Sequence, residues 1–262
     1  WLASSRAASS AWLSCQPSAP AFSWAWRAFL APGIGVAAHV LAAVAYTTPW
    51  DNYLVANGVW YYNPRLVTGL TLGWVPVEEY TFFVLQTLLA GLWVVWLARR
   101  LPEPPAPGAV EGWRATALLA LGLAWLASLG LLFSGWRPGT YLGLVLAWAL
   151  PPIMLQAAFG ADLLWRRRRL VGLALLPITL YLGAVDSLAI RAGTWTIDPG
   201  QSLKVFLPGG LPLEELVFFL LTNTLLVFGL TLALDCASRA RAAGLPPHFQ
   251  LFLLKGKKYK TE

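Results

Sequence analysis

Long apolar runs alternate with short polar breaks along this chain. The runs lie near residues 29–48, 75–98, 114–134, 139–164, 170–190 and 211–235. Each is about 20 residues long, the length of a helix that crosses the hydrocarbon layer of a bilayer. The pattern therefore predicts an all-α integral membrane protein, a polytopic helical bundle with six clear spans. The breaks divide it further. Residues 1–28, with WLASSRAASSAWLSCQPSAP at the start, are rich in Ala and Ser and have too short an apolar core for a signal peptide. A Pro-rich linker, LPEPPAPGAV, follows the second run, and a basic tail ending in KGKKYK follows the last.

The polar breaks repeat. The first unit reads WDNYLVANGVWYYNP and then PVEEYTFF; the second reads VDSLAIRAGTWTIDP and then PLEELVFF. Asp51 matches Asp186 at an offset of 135, and Glu78 matches Glu214 at 136. Four runs separate matching helices, so the copies point the same way, a parallel duplication. The second copy has an additional apolar helix, YLGLVLAWALPPIMLQ at 141–156, whose counterpart would fall near residues 6–21. The design is therefore seven helices: two three-helix units joined by a linker helix. Region by region, 1–28 is a degraded or misread first helix, 29–100 the first repeat, 101–137 the linker and its helix, 138–235 the second repeat, and 236–262 the tail.

Composition agrees with the membrane reading. Hydrophobic residues make up 58% of the chain and charged residues 12%, against roughly 25% charged in ordinary globular proteins. The net charge of +7 does not point to nucleic acid, because the positive residues sit between apolar runs. Of the 19 Lys and Arg, only Arg65, Arg137, Arg191 and Lys204 lie on one side. The rest, including the run Arg166–Arg169, lie on the other, which the positive-inside rule makes cytoplasmic. A multi-pass cell-membrane protein follows, with basic loops and tail inside and the acid motifs toward the outer face. Cys15 and Cys236 have neither metal-type nor disulfide-framework spacing, and no dinucleotide fingerprint or phosphate loop is present.

Half of the 12 acidic residues fall in the duplicated motifs: Asp51, Asp186, Glu78, Glu79, Glu214 and Glu215. Each Asp is expected to end one helix and each Glu pair to begin the next. A proline and an acid suit a first helical turn, and that explains one glutamate. It does not explain two, twice. One turn on come Phe82, Phe83, Phe218 and Phe219, and a further turn on come Gln86, Thr87, Thr222 and Asn223. These spacings share a helix face. Intramembrane carboxyls are usually functional; in a crowded set, one can keep its proton as an acid while another serves as a base. Aromatic faces stabilise cations. Together they suit proton-initiated chemistry on a lipid-soluble alkene, without metal or redox cofactor. Phe82, Phe83, Phe218, Phe219, Gln86 and Asn223 are the expected substrate contacts. Trp60 and Trp195, at matching distances from Asp and Pro, belong either to the interfacial aromatic belt or to the substrate wall. His39, alone in its helix, reads as a packing residue, and the four-arginine run as an anchor at lipid headgroups.

TPWDNYLVANGVWYY, PVEEYTFF, YLGLVLAWALPPIMLQ, DSLAIRAGTWTIDP and PLEELVFF together resemble the integral-membrane lycopene cyclases, in the form that fuses two repeats in one chain. The likeness covers residues 30–235. It implies redox-neutral cyclisation of a linear ψ end group of lycopene to a β-ionone ring. The family's acids carry over to Glu78, Glu79, Glu214, Glu215, Asp51 and Asp186. A carotenoid substrate, the lipid bilayer and other carotenoid-pathway enzymes are the implied partners, with no cofactor. The family's first helix is represented here only by Pro17 in a polar context. Two other readings stay open: a carotenoid end-group hydratase, and a small proton-coupled transporter. A retinal protein is excluded, since 211–235 has no Lys for a Schiff base.

Overall fold

The computed structural model describes residues 32–102 and 112–244. The expected first helix near 6–21, most of the Pro-rich linker and the end of the basic tail lie outside these residues. Six long helices stand where the apolar runs predict them: α1 (Pro32–Ala56), α2 (Val77–Arg100), α3 (Trp113–Phe133), α4 (Thr140–Arg166), α5 (Arg168–Arg191) and α6 (Leu213–Leu234). A short α7 (Cys236–Ala243) follows. α2 to α6 are long and apolar enough to cross a membrane. α1 is as long, and its last third carries Thr47, Thr48, Pro49, Asp51 and Asn52. The result is an all-α membrane bundle.

α1, α2, α5 and α6 form its centre. α1 packs on α2 and α5 on α6, while α2 crosses to both helices of the second copy. α4 covers α6, and α3 lies against α4 with only 6% of its apolar window buried. α4 kinks at Gly160, where Leu232 approaches so closely that a Cβ would meet its side chain at 2.5 Å.

The copies meet through backbone as well as side chains, which the apolar pattern did not foretell. β1 (Trp60–Tyr62) pairs antiparallel with β4 (Trp195–Ile197), with Tyr61 opposite Thr196. Those two residues are repeat equivalents, so the ladder is centred on a local two-fold axis. The hairpin entering each glutamate helix is also duplicated. In the first copy, β2 (Thr71–Leu72) pairs with β3 (Val75–Pro76), and Thr71 faces Pro76. In the second, Phe206 faces Pro212. Gly73 (φ 71°) and Gly209 (φ 88°) turn the two tips, in a backbone region that suits glycine. Gly73 rests on Asn52 and Gly209 on Ser187, again repeat equivalents. Asn52 accepts from the Trp74 N–H at 2.7 Å and donates to the Tyr80 hydroxyl. The difference between Asn52 and Ser187 in the sequence thus conceals a shared task, docking a hairpin tip on a helix.

The opposite end is tied by ions. Asp235 closes α6 and, through Oδ1, accepts from the N–H groups of Ala237 and Ser238 to start α7. Its Oδ2 accepts from Arg166 Nη2 at 2.7 Å and Arg167 Nε at 2.9 Å. The arginine run is therefore not simply a headgroup anchor. The side chain of Arg167 is 4% exposed and holds the α4–α5 corner to the end of α6, because the carboxylate of Asp235 is fully buried and needs cations beside it. Asp235→Asn removes the buried negative charge that both guanidinium groups face. It is expected to cost about 3–5 kcal/mol, read as a lowered unfolding midpoint in detergent; an unchanged midpoint would count against the corner as an anchor.

Candidate active site

Asp51 and Asp186 do not end their helices as expected; each lies in the penultimate turn, of α1 and α5 respectively. The extra turn matters, because it carries each carboxyl inside the bundle, below the β1–β4 ladder. Asp51 is 1% exposed. Glu79, in the first turn of α2, stands close enough to Asp51, Asp186 and Glu215 for their charges to interact. Glu215, in the first turn of α6, is buried and is also a charge neighbour of Asp186. Four acids from four helices thus converge at one end of the bundle.

The other two glutamates do something different. Glu78 Oε1 accepts the N–H of Thr68 at 2.6 Å. Glu214 Oε1 accepts the N–H of Leu203 at 2.7 Å and the hydroxyl of Ser202 at 3.0 Å. Thr68 and Leu203 are repeat equivalents. The first glutamate of each pair therefore braces its own loop, and the second faces the acid cluster. That division answers why two adjacent acids are repeated, and the sequence alone did not separate them.

Within the cluster the hydrogen bonds are unequal. The Tyr62 phenol pairs with Glu79. Burial, and then the charges of Glu79, Asp51 and Glu215, hold this phenol above its ordinary range, so it remains a donor. Tyr141, fully buried at the start of α4, donates to Glu215 Oε1. The Trp195 indole donates to Asp186 Oδ1 at 3.1 Å. Asp51, its repeat equivalent, has no hydrogen-bond partner at either oxygen among the described residues, and the equivalent indole N–H of Trp60 is unpartnered too. Tyr62 and Tyr141 were not anticipated. Their partners, Glu79 and Glu215, are repeat equivalents, but the tyrosines themselves stand at non-equivalent positions, so the repeat could not reveal them.

About one helical turn from the cluster lies a cavity of about 250 Å³, whose lining includes none of the four carboxyls. α1 contributes Ala42, Ala43, Tyr46 and Thr47; α2 contributes Phe83 and Gln86; α4 contributes Trp148 and Gln156; α6 contributes Phe218 and Thr222. Phe83, Gln86 and Phe218 are thus where the helix-face spacing placed them. Asn223 is instead buried behind the wall, donating to Thr179 and accepting from Gln86. Phe82 and Phe219 pack against each other between the copies. Trp60 and Trp195 do not line the cavity; they meet edge to face at 6.0 Å, and the Trp195 indole reaches the acids at Asp186. His39 lines the cavity's far end, and its Nδ1 lies 2.8 Å from the carbonyl of Gly35. Trp50 stacks on Trp148 at 4.4 Å and on Phe218 at 5.8 Å, and meets Trp60 edge to face. An aromatic wall therefore runs from the cavity to the carboxyls. Trp50 and Trp148 escaped notice because tryptophan is so common in this chain.

Comparison with known proteins agrees with that layout. The lycopene cyclase family profile matches residues 17–97 and 138–233, the stretches that carry both halves of the site. The chain belongs to the lycopene cyclase family. It is 42% identical over 207 residues to a lycopene beta-cyclase of Halobacterium salinarum, covering 79% of this chain and 85% of that protein. It is 40% identical over 198 residues to a bifunctional lycopene cyclase/phytoene synthase of Gibberella fujikuroi, covering 73% of this chain and 33% of that one. No solved structure matches the chain. The segment between the two lycopene cyclase matches contains α3, which among the described residues supplies none of the four acids and none of the cavity lining.

If Glu214 braces its loop, Glu214→Gln keeps an oxygen acceptor for Leu203 and Ser202 and is expected to fold normally. Glu214→Ala strands those donors and should cost about 1–3 kcal/mol, measured by thermal unfolding in detergent. Equal stability of the two variants would sink the bracing role.

Proposed function

We infer that this chain is a lycopene β-cyclase that closes a linear ψ end group by acid–base chemistry alone. The observation that carries this reading is the convergence of Asp51, Glu79, Asp186 and Glu215 about one helical turn from an aromatic-walled apolar cavity. It is joined by the family membership and by the 42% identity to a curated lycopene beta-cyclase.

The chemistry balances without an oxidant or reductant. A carboxylic acid gives its proton to the terminal double bond, leaving a tertiary cation. The internal double bond attacks that cation and closes the six-membered ring. A carboxylate then removes a ring proton, so the product is an isomer of the substrate. Asp51 suits the donor role: it is unencumbered by hydrogen bonds and one turn from Thr47, which lines the cavity. Glu79, Asp186 and Glu215 already accept from Tyr62, Trp195 and Tyr141, which suits holding negative charge and taking a proton back. The rings of Phe83, Phe218 and Trp148 face the cavity and stabilise the cation through their quadrupoles. Glu78 and Glu214 are positioning residues on this reading. The basic helix ends, including Arg99, Arg100 and Arg166–Arg169, support a cytoplasmic position for that end of the bundle in the cell membrane by the positive-inside rule, with the acids toward the outer face.

Expression in lycopene-accumulating bacteria with pigment analysis tests the reading. Cyclised carotene of equal mass is expected; a product heavier by one water would establish the hydratase instead, and unchanged lycopene from inserted protein would refute both. Asp51→Asn, Glu79→Gln, Asp186→Asn and Glu215→Gln should each lower cyclisation by about 10²–10⁴-fold, the usual yield of general acid–base catalysis. Tyr141→Phe should lower it less, by roughly 10- to 100-fold, since a hydrogen bond to a charged group is worth about 1.5–3 kcal/mol. Full activity in all four acid variants would overturn the assignment.

A further inference from the structure

The two-fold arrangement of the copies raises a question the acids do not answer: whether there are two end-group pockets or one. The repeat supplies a residue-by-residue comparison. The cavity's α1 wall is Ala42, Ala43 and Thr47. The equivalent positions on α5 are Pro177, Ile178 and Leu182. Ile178 and Leu182 are buried in the central apolar cluster, so their larger side chains occupy the space that the α1 residues leave open. At the far end of the cavity His39 and Gln156 crowd against Gly229, where a Cβ would meet His39 Nε2 at 2.5 Å and Gln156 Nε2 at 3.2 Å. The equivalent of Gly229 is Trp93, whose indole donates to the carbonyl of Leu173 at 3.0 Å. Trp50, which joins the aromatic wall to the acids, has Val185 as its counterpart, and Val185 is 47% exposed. Around the cavity Ala43, Thr47 and Gly229 are small where their equivalents Ile178, Leu182 and Trp93 are large, while His39, whose equivalent is Ala174, runs the other way.

The open cavity also has a side entrance. Ala42 and Tyr46 are exposed, and Tyr46 bridges from α1 to α4, stacking on Trp148 at 5.2 Å and donating to its carbonyl. About 250 Å³ is less than the roughly 300–1,000 Å³ that drug-sized ligands occupy, so one end of a long carotene fits and the rest stays outside.

We propose that the described residues form a single end-group pocket, between α1, α2, α4 and α6, and that its two-fold counterpart, beside α2, α5 and α6, is filled by Trp93, Ile178 and Leu182. The proposal rests on the cyclase reading. A carotene then presents its ends one at a time, and a two-ringed product requires release and re-entry of the one-ringed carotene.

Two experiments on the full chain in membranes test it. Ala43→Ile with Thr47→Leu installs the second copy's residues in the first. Cyclisation should fall at least tenfold at unchanged membrane level by immunoblot, whereas Ile178→Val should stay within twofold of wild type. Wild-type activity in the double variant would overturn the single pocket. The second uses the unaltered chain, so it holds even where the double variant fails to accumulate. Labelled lycopene is given briefly and then chased with excess unlabelled lycopene. Label should stay in one-ringed carotene, because free lycopene competes for that pocket. Label passing directly into two-ringed carotene despite the chase would overturn the proposal. Wild-type membranes that form no ring at all would instead defeat the cyclase reading beneath it.

Discussion

Carboxyl groups inside an apolar bundle are costly, because an ionised oxygen without water or a partner loses its solvation. Asp51, Glu79, Asp186 and Glu215 share one such place, and much of the architecture serves to hold them there. The β1–β4 ladder closes over them. The prolines and hairpins at 71–76 and 206–212 set the starts of α2 and α6, so that the second glutamate of each pair faces inward. Tyr62, Trp195 and Tyr141 supply donors to three of the four. An arrangement this demanding is difficult to explain as a helix end that happens to be acidic.

Duplication makes the arrangement economical and asymmetry makes it specific. Two copies of one unit, related by a local two-fold axis, bring four acids together with half the design. The axis passes between Tyr61 and Thr196, and near Gln86, which donates to its own equivalent, Thr222, at 2.9 Å. Departures from symmetry then distinguish the halves. Asp186 has its indole and Asp51 does not. Glu79 draws its phenol from the strand after α1, and Glu215 draws its own from α4, whose first-copy counterpart lies outside the described residues. On the proposed reading these differences separate acid from base and open pocket from filled one.

Much of the site was legible before any coordinates. The periodic acid–aromatic–polar stripe placed Phe83, Gln86 and Phe218 on the inward face, and there they line the cavity. The reading blurred where spacing is silent about direction. Glu78 and Glu79 are neighbours in the chain, but successive helical residues point about 100° apart; one reaches back to Thr68 and the other across to Asp186. Asn223 has the right period and the wrong depth, since Gln86 and Thr179 draw it behind the wall. The arginines at 166 and 167 read as surface charge because their counter-ion, Asp235, lies far away in sequence.

The sequence by itself determined the membrane class, the number and order of the six long helices, and the parallel duplication with its six matched acids. These follow from local hydropathy and from spacing, which survive without knowledge of what packs on what. Tertiary structure alone decided which glutamate of each pair enters the cluster, which tyrosines meet it, and where the cavity opens. Those outcomes depend on side chains from α1, α2, α4, α5 and α6 meeting across more than a hundred residues of chain, and on volumes such as Gly229 against Trp93 that acquire meaning only when the two halves are superposed about their axis.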